Sequence, residues 1–147
     1  MAGLSLRAIR EAFADSLRER VEGFNVSAYP GDGRSTPRIS IFASGSDYVD
    51  YWLSFGSAGL AGIHYELWIE VDASDDASAQ MVLDAVLSAG DGNENSLIDA
   101  IRENNTLDGL VDDIVPSTSR IAQFGADGPI GAVVTVDVLI RKQGAEA

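Results

Sequence analysis

GIHYELWIEV, residues 62–71, decides the fold, because its apolar and polar side chains alternate without interruption. One face carries the apolar set Ile63, Tyr65, Leu67, Ile69 and Val71. The other face carries His64, Glu66, Trp68 and Glu70. Strict alternation is typical of a strand with one buried face. Such a strand belongs to a sheet that needs another layer over its apolar side.

Four further segments are predicted to be strands, at residues 24–29, 37–43, 110–122 and 130–141. In the second of them, Ile39 and Ile41 share one face. The last segment carries Val134, Val136, Val138 and Ile140 on one face. Pro116 lies inside the third segment, and proline in a sheet is typical of an edge strand or a bulge.

Three segments have helical periodicity, at residues 4–21, 74–89 and 96–103. The buried stripe of the first helix is predicted to be Leu6, Ile9, Phe13, Leu17 and Val21. That of the second is predicted to be Ala79, Val82, Leu83, Val86 and Leu87. Ser5 is a candidate N-cap of the first helix, and Ser96 opens the third with a sequence that resembles a capping box.

The order of these segments predicts an α+β fold: a small, mainly antiparallel sheet with an N-terminal helix and two further helices packed on one face. The length of 147 residues fits one domain, so we expect residues 1–147 to form a single unit. Residues 1–4 and 143–147 are expected to be flexible ends.

Charge and composition argue against several classes of function. The net charge is −13, with 10 basic and 23 acidic residues, which disfavours stable binding to nucleic acid or to an anionic membrane. The chain has no cysteine, so disulfides and cysteine-bound zinc are excluded. No apolar run is long enough to span a bilayer, and residues 1–21 lack an apolar signal core. We therefore expect an intracellular protein.

The sequence offers little material for catalysis, and we predict that the protein is not an enzyme. His64 is the only histidine, and on an alternating strand it is more typical of a surface or interface residue than of a base. The DGNEN stretch at 91–95 looks briefly like a calcium loop. Such a loop would need glycine and glutamate where Ser96 and Arg102 stand. We expect no cofactor and no metal.

The segment DYVDYWLSFG, residues 47–56, contains four aromatic side chains and no Lys or Arg; we call it the aromatic segment. These side chains are Tyr48, Tyr51, Trp52 and Phe55. They could be a small cluster that covers a sheet edge. They could equally be a protein interface, since interface anchors are enriched in Tyr, Trp and Phe. Stacking on single-stranded nucleic acid is disfavoured by the lack of cations.

Several pieces of the chain, taken in order, resemble the tail terminator proteins of long-tailed bacteriophages, in particular those of actinobacterial phages. They are LRAIREAFADSLRERV (6–21), DYVDYWLSFGSAGLAGIHYELWIEV (47–71), DDASAQMVLDAVLSA (75–89) with the short helix after it, TLDGLVDDIVPS (106–117) and GAVVTVDVLI (131–140). Their order and spacing carry the resemblance, since no single motif is specific. A single Gly109 stands where family members often have two glycines.

The resemblance implies a structural subunit that forms a ring with its own copies, commonly a hexamer. The ring would cap the tail tube protein, end tube elongation and join the head–tail connector or stopper protein. It would lie at the head-proximal end of the virion tail after assembly in the host cytoplasm. DNA would pass through the channel without specific binding. Family contacts are made by loops, so Tyr48, Tyr51, Trp52 and Phe55 become candidate interface residues.

Two alternatives stay open. One is another neck, head-completion or minor tail protein of the same particle, because these also have small α+β folds. The more distant one is a small-molecule-binding or enzymatic α+β domain that uses a cleft near His64 and Tyr65. The acidic excess adds a hypothesis for the ring: carboxylates along the channel would repel the phosphates of passing DNA.

Overall fold

A computed structural model describes residues 5–29, 37–45, 47–50, 60–71, 76–90, 96–123 and 130–141. Within these ranges the helices are α1 (Leu6–Arg20), α2 (Asp76–Leu87) and α3 (Leu97–Glu103). The strands are β1 (Asn25–Ser27), β2 (Arg38–Ala43), β3 (Val49–Asp50), β4 (Leu60–Glu70), β5 (Asp113–Gln123) and β6 (Ile130–Arg141). The calcium-like stretch at 91–95 and both predicted flexible ends lie outside the described residues.

The strands form one sheet in the order β1-β2-β4-β6-β5, and the short β3 pairs with β4 beside the end of β2. All pairs are antiparallel except β1 with β2, which is parallel. The long alternating strand is central, as its pattern predicts: β4 pairs with β6 along its whole length, from Leu60 opposite Arg141 to Glu70 opposite Gly131. The fold is therefore α+β with a mainly antiparallel sheet.

The three helices cover one face of this sheet. Their buried side chains and the inward side chains of the strands belong to one hydrophobic core. Phe13 and Leu17 of α1 reach it, as do Leu83 of α2 and Ile101 of α3. The inward residues of β4 from Ile63 to Ile69 are fully buried, as the alternation predicts. The opposite face of the sheet carries no helix among the described residues; we call it the open face.

One prediction about the helices is confirmed and another is wrong. Ser5 Oγ accepts a hydrogen bond from the amide of Ala8, so the predicted N-cap of α1 is confirmed. The predicted burial of Val82 is wrong, because its side chain is 39% exposed. Ala79, Leu83 and Val86 form a narrower buried stripe on α2, and Val82 lies at its margin.

The predicted strand at 110–122 begins later, at Asp113. Before it, Leu107, Asp108 and Gly109 all have positive φ, of 49°, 57° and 95°, so the chain makes a left-handed turn there. Both predictions for Pro116 are confirmed. β5 is an edge strand of the sheet, and its register with β6 shifts between Pro116 and Thr118.

Candidate functional site

The structure describes the first four residues of the aromatic segment, 47–50, and they lie against β4. Val49 pairs with Ile63, and Asp50 pairs with Gly62. The amide of His64 donates to the carbonyl of Tyr48 at 2.8 Å. Of the four predicted interface residues, Tyr48 is described and half-buried. The other three, Tyr51, Trp52 and Phe55, lie outside the described residues.

Tyr48 is bound to the domain by a buried arginine of α1. Arg10 is only 6% exposed, and its Nη2 donates to the Tyr48 hydroxyl at 3.2 Å. Its Nη1 donates to the carbonyl oxygens of Ala28 and Ile41, at 3.3 and 3.2 Å. One guanidinium therefore connects α1, the end of β1, β2 and the start of the aromatic segment. Its planar array of donors suits several acceptors at once.

Aromatic rings surround the same guanidinium. The Arg10 Cζ lies 4.6 Å from the ring centre of Tyr29, 5.7 Å from that of Tyr48 and 5.5 Å from that of Tyr65. Cation–π attraction over these rings offsets part of the cost of burying the charge. The Tyr65 hydroxyl is buried and has no hydrogen-bond partner among the described residues. Burial raises the pKa of Tyr65, so its hydroxyl stays protonated at neutral pH.

A second connection lies on the open face, where His64 is held between two carboxylates. Its Nδ1 is 2.6 Å from Asp137 Oδ1, and its Nε2 is 3.0 Å from Asp50 Oδ2. The β4–β6 register places Asp137 directly opposite His64, and β3 supplies Asp50 from the other side. The hydrogen bond to Asp50 raises the pKa of His64 most, and Asp137 raises it further, against an opposing effect of burial.

This arrangement bears on catalysis by His64. Both ring nitrogens are engaged by carboxylates, so neither is free to take a proton from a bound molecule. His64 and Tyr65 also point to opposite faces of the sheet, and Tyr65 is fully buried. The two residues therefore do not line one cleft, contrary to the cleft expected for a small-molecule site.

The open face combines an apolar patch with ion pairs. Phe42 stacks on Trp68 with ring centres 4.1 Å apart, and both rings are half-buried. Val133, opposite Trp68 across the β4–β6 pair, is buried. The Trp68 indole donates to Glu66 Oε1 at 3.1 Å. Arg38 and Glu70 form a close ion pair at 2.7 Å beside them. A stacked aromatic pair with polar neighbours is typical of a surface that contacts protein.

Sequence reasoning identified Tyr48 but missed the residues that hold the start of the aromatic segment. The sequence carried one signal that Arg10 could be buried, which was its position directly after Ile9 of the predicted apolar stripe. Asp137 is 73 residues from His64, so only the strand register brings them together. A prediction that both lie on polar strand faces was possible, but their pairing was not.

The described part of the chain shows neither a metal-binding cluster nor a membrane-spanning helix. Its His, Asp and Glu side chains form no group of three or more that could hold a metal ion. None of its helices has the length and apolar character needed to cross a bilayer.

No model of a protein family matches this sequence, and no curated protein matches it either.

Proposed function

We propose that this protein is the ring-forming subunit of a bacteriophage tail terminator. In this role, copies of the chain form a ring, commonly a hexamer, on the end of the tail tube. The ring stops addition of tube protein and presents its other side to the head–tail connector. The proposal rests on the ordered resemblance of five sequence segments, and the α+β fold with helices on one sheet face is compatible with it.

The observation that supports it best is the double attachment of the aromatic segment. On the helix side, Arg10 binds the Tyr48 hydroxyl; on the open face, His64 binds the Asp50 carboxylate. Both bonds lie at the start of the segment, immediately before Tyr51 and Trp52 in the sequence. A binding segment that begins on fixed supports loses less conformational entropy when it binds, so this design favours a protein interface.

The open face gives a second reason to propose a protein partner. The stacked pair of Phe42 and Trp68 is half-buried and flanked by charged side chains, as the apolar centre of an interface is flanked by a polar rim. In a ring, this face would be available to a neighbouring copy or to the tube.

The charge of the chain suits a conduit for DNA. Six copies at −13 each would surround the channel with a strongly negative potential. Phosphates would gain nothing by binding its wall, so DNA would move through without adhering. A ring whose channel wall is mainly basic would contradict this part of the proposal.

The test is the length of tails assembled without the protein. Tails made by a phage that lacks this gene are expected to exceed normal length, and the wild-type protein should restore it in electron micrographs. Trp52→Ala should fail to restore it. Met81→Ala, at a residue 73% exposed on α2, should restore it and serves as the matched control.

Normal tail length without the protein would refute the proposal. Density for the protein at another place in the neck or along the tail would favour the alternative of a head-completion or minor tail protein.

A further inference from the structure

The two edge strands of the sheet, β1 and β5, have different surroundings. At the β1 edge, arginines of α1 bind backbone carbonyls: Arg18 Nε donates to Val26 at 3.0 Å, and Arg10 Nη1 donates to Ala28 at 3.3 Å. At the β5 edge, no described strand or helix pairs with the side of β5 that faces away from β6. Unpaired N–H and C=O groups along a strand edge are a template for another strand.

The second half of β5 is the most exposed part of this edge. Residues 117–121 are all exposed, which means that both faces of the strand are uncovered there. Pro116 and the adjacent register shift interrupt the first half, as edge-protecting devices do. From Thr118 to Gln123 the register with β6 is regular, and Arg120 carries the one charge. Within the described residues, no strand pairs with Thr118 to Ala122 on the side that faces away from β6.

A cleft of about 480 Å³ lies beside the first half of β5. Ile98 and Arg102 of α3 form one wall, and Val115 and Pro116 form part of the other. Val115 is 41% exposed, so the cleft offers apolar surface next to the Arg102 guanidinium. The Asp113 carboxylate also lines the cleft and accepts a hydrogen bond from Asn105 Nδ2 at 2.8 Å. An extended chain that follows the edge of β5 would pass through this cleft.

Charge indicates what such a chain contains. Among the residues that the structure describes, Arg102 and Arg120 form no ion pair, whereas Arg7, Arg18, Arg20 and Arg38 each do. Arg10 also forms no ion pair there, but it is buried. Among the arginine side chains that the structure describes, Arg102 and Arg120 are therefore the exposed ones left to receive carboxylates from outside. The matching segment is therefore acidic, and another copy of this chain supplies acidic surface in excess.

We infer that the β5 edge binds an extended, acidic segment of a second copy, which adds a strand to the sheet. The choice of a second copy rests on the proposed ring. Two β5 edges would bring arginines together, and like charges oppose such pairing. The contact is therefore head-to-tail, the type that closes into a ring rather than stopping at a dimer.

The experiment measures self-association of the full chain by sedimentation velocity over a range of concentrations and salt. The wild type should form oligomers that weaken as salt rises. Arg102→Glu with Arg120→Glu should weaken association about tenfold or more. Arg7→Glu with Gln80→Glu and Met81→Glu makes the same total charge change at exposed sites of α1 and α2 and should leave association within about twofold. Circular dichroism checks that each variant is folded.

A photo-crosslinking residue identifies the contact directly. Placed at Ser119 on β5, it should join two copies; placed at Ser78, exposed on α2, it should not. A wild type that stays monomeric at every concentration would overturn the inference. Equal association of the arginine variant and its charge-matched control would also overturn it, as would crosslinks of equal yield from both positions.

The outcome of the association experiment can be distinguished from the outcome of the tail-length test of the proposed function. Suppose that the variant with Arg102→Glu and Arg120→Glu loses association while a phage without the gene has tails of normal length. The β5 contact would then stand, and the terminator role would be refuted. Association that persists in this variant, together with overlong tails in that phage, would refute the β5 contact and leave the terminator role standing.

Discussion

His64 and Asp137 face each other across the β4–β6 pair, and Nδ1 of the imidazole lies 2.6 Å from Oδ1 of the carboxylate. Asp50 occupies the other ring nitrogen at 3.0 Å. A neutral imidazole has one N–H and could donate to only one of these carboxylates. The geometry therefore favours the doubly protonated ring, in agreement with the raised pKa of His64.

Stability is expected to decrease as pH rises above neutrality. The folded-state pKa of His64 lies above its ordinary value of 6.5. Its contribution is therefore complete below pH 6.5 and is lost as pH rises through the folded-state pKa. Urea unfolding between about pH 6 and about pH 9 measures the loss. Because His64 is the only histidine, one imidazole signal in an NMR titration reports its pKa.

Asp137→Asn tests the contribution of the carboxylate that lies at Nδ1 of His64. At about pH 6 it should cost about 1 kcal/mol, because it replaces a charged hydrogen bond at a partly exposed site. It should also lower the pKa of His64. Asp84→Asn, at an exposed carboxylate of α2, should change neither quantity. A wild-type pKa at or below 6.5 would contradict the doubly protonated ring.

Arg10→Met should destabilise the domain by about 2–3 kcal/mol, since it leaves the carbonyls of Ala28 and Ile41 without their donor. Arg10→Lys should recover only part of the loss, because one ammonium cannot reproduce the planar array of donors. Thermal and urea unfolding measure both. Arg7→Met, at a side chain that is 81% exposed, should change stability by less than about 0.5 kcal/mol. Equal effects at the two arginines would show that Arg10 has no anchoring role.

The sheet and its core could be predicted because they depend on local pattern. The alternation in β4 determines which side chains face inward, and Ile63 to Ile69 are buried as expected. The same holds for Val134, Val136 and Val138 of β6. Periodicity reports the average environment of a face, and the buried face of a central strand is uniform enough for that to succeed.

The connections around the aromatic segment could not be predicted, because they depend on register between distant strands. Asp137 meets His64 only once β4 and β6 are aligned. The left-handed turn at Leu107 and Asp108 was missed for a different reason. Aspartate is enriched at positive φ but leucine is not, and hydrogen bonds around Asn104 and Thr106 hold Leu107 in that conformation. Those bonds require the folded context.

The tyrosines around Arg10 provide a matched pair of substitutions. Tyr65→Phe removes a buried hydroxyl that has no hydrogen-bond partner among the described residues, so stability should stay within about 0.5 kcal/mol or rise. Tyr48→Phe removes the acceptor of Arg10 Nη2 and should cost about 1 kcal/mol. Urea unfolding of both variants decides between these outcomes. A larger loss at Tyr65 than at Tyr48 would contradict this account of the cluster.

The two serine caps should differ in the size of their contribution. Ser5 Oγ accepts one bond, from the amide of Ala8. Ser96 Oγ accepts from the amide of Asp99 at 3.1 Å and also donates to the carbonyl of Ser88 at 2.5 Å, which connects the end of α2 to the start of α3. Ser96 is 2% exposed, and loss of its hydroxyl leaves the partly buried carbonyl of Ser88 without this donor.

Ser5→Ala is therefore expected to cost about 0.5–1 kcal/mol, the ordinary value of an exposed cap, and Ser96→Ala about 2 kcal/mol. Ser96→Thr, which keeps the hydroxyl, should recover most of the difference if the added methyl group is accommodated. Hydrogen exchange should show faster opening of α3 in Ser96→Ala and of the first turn of α1 in Ser5→Ala. Equal losses at the two positions would mean that the bond to Ser88 contributes nothing to stability.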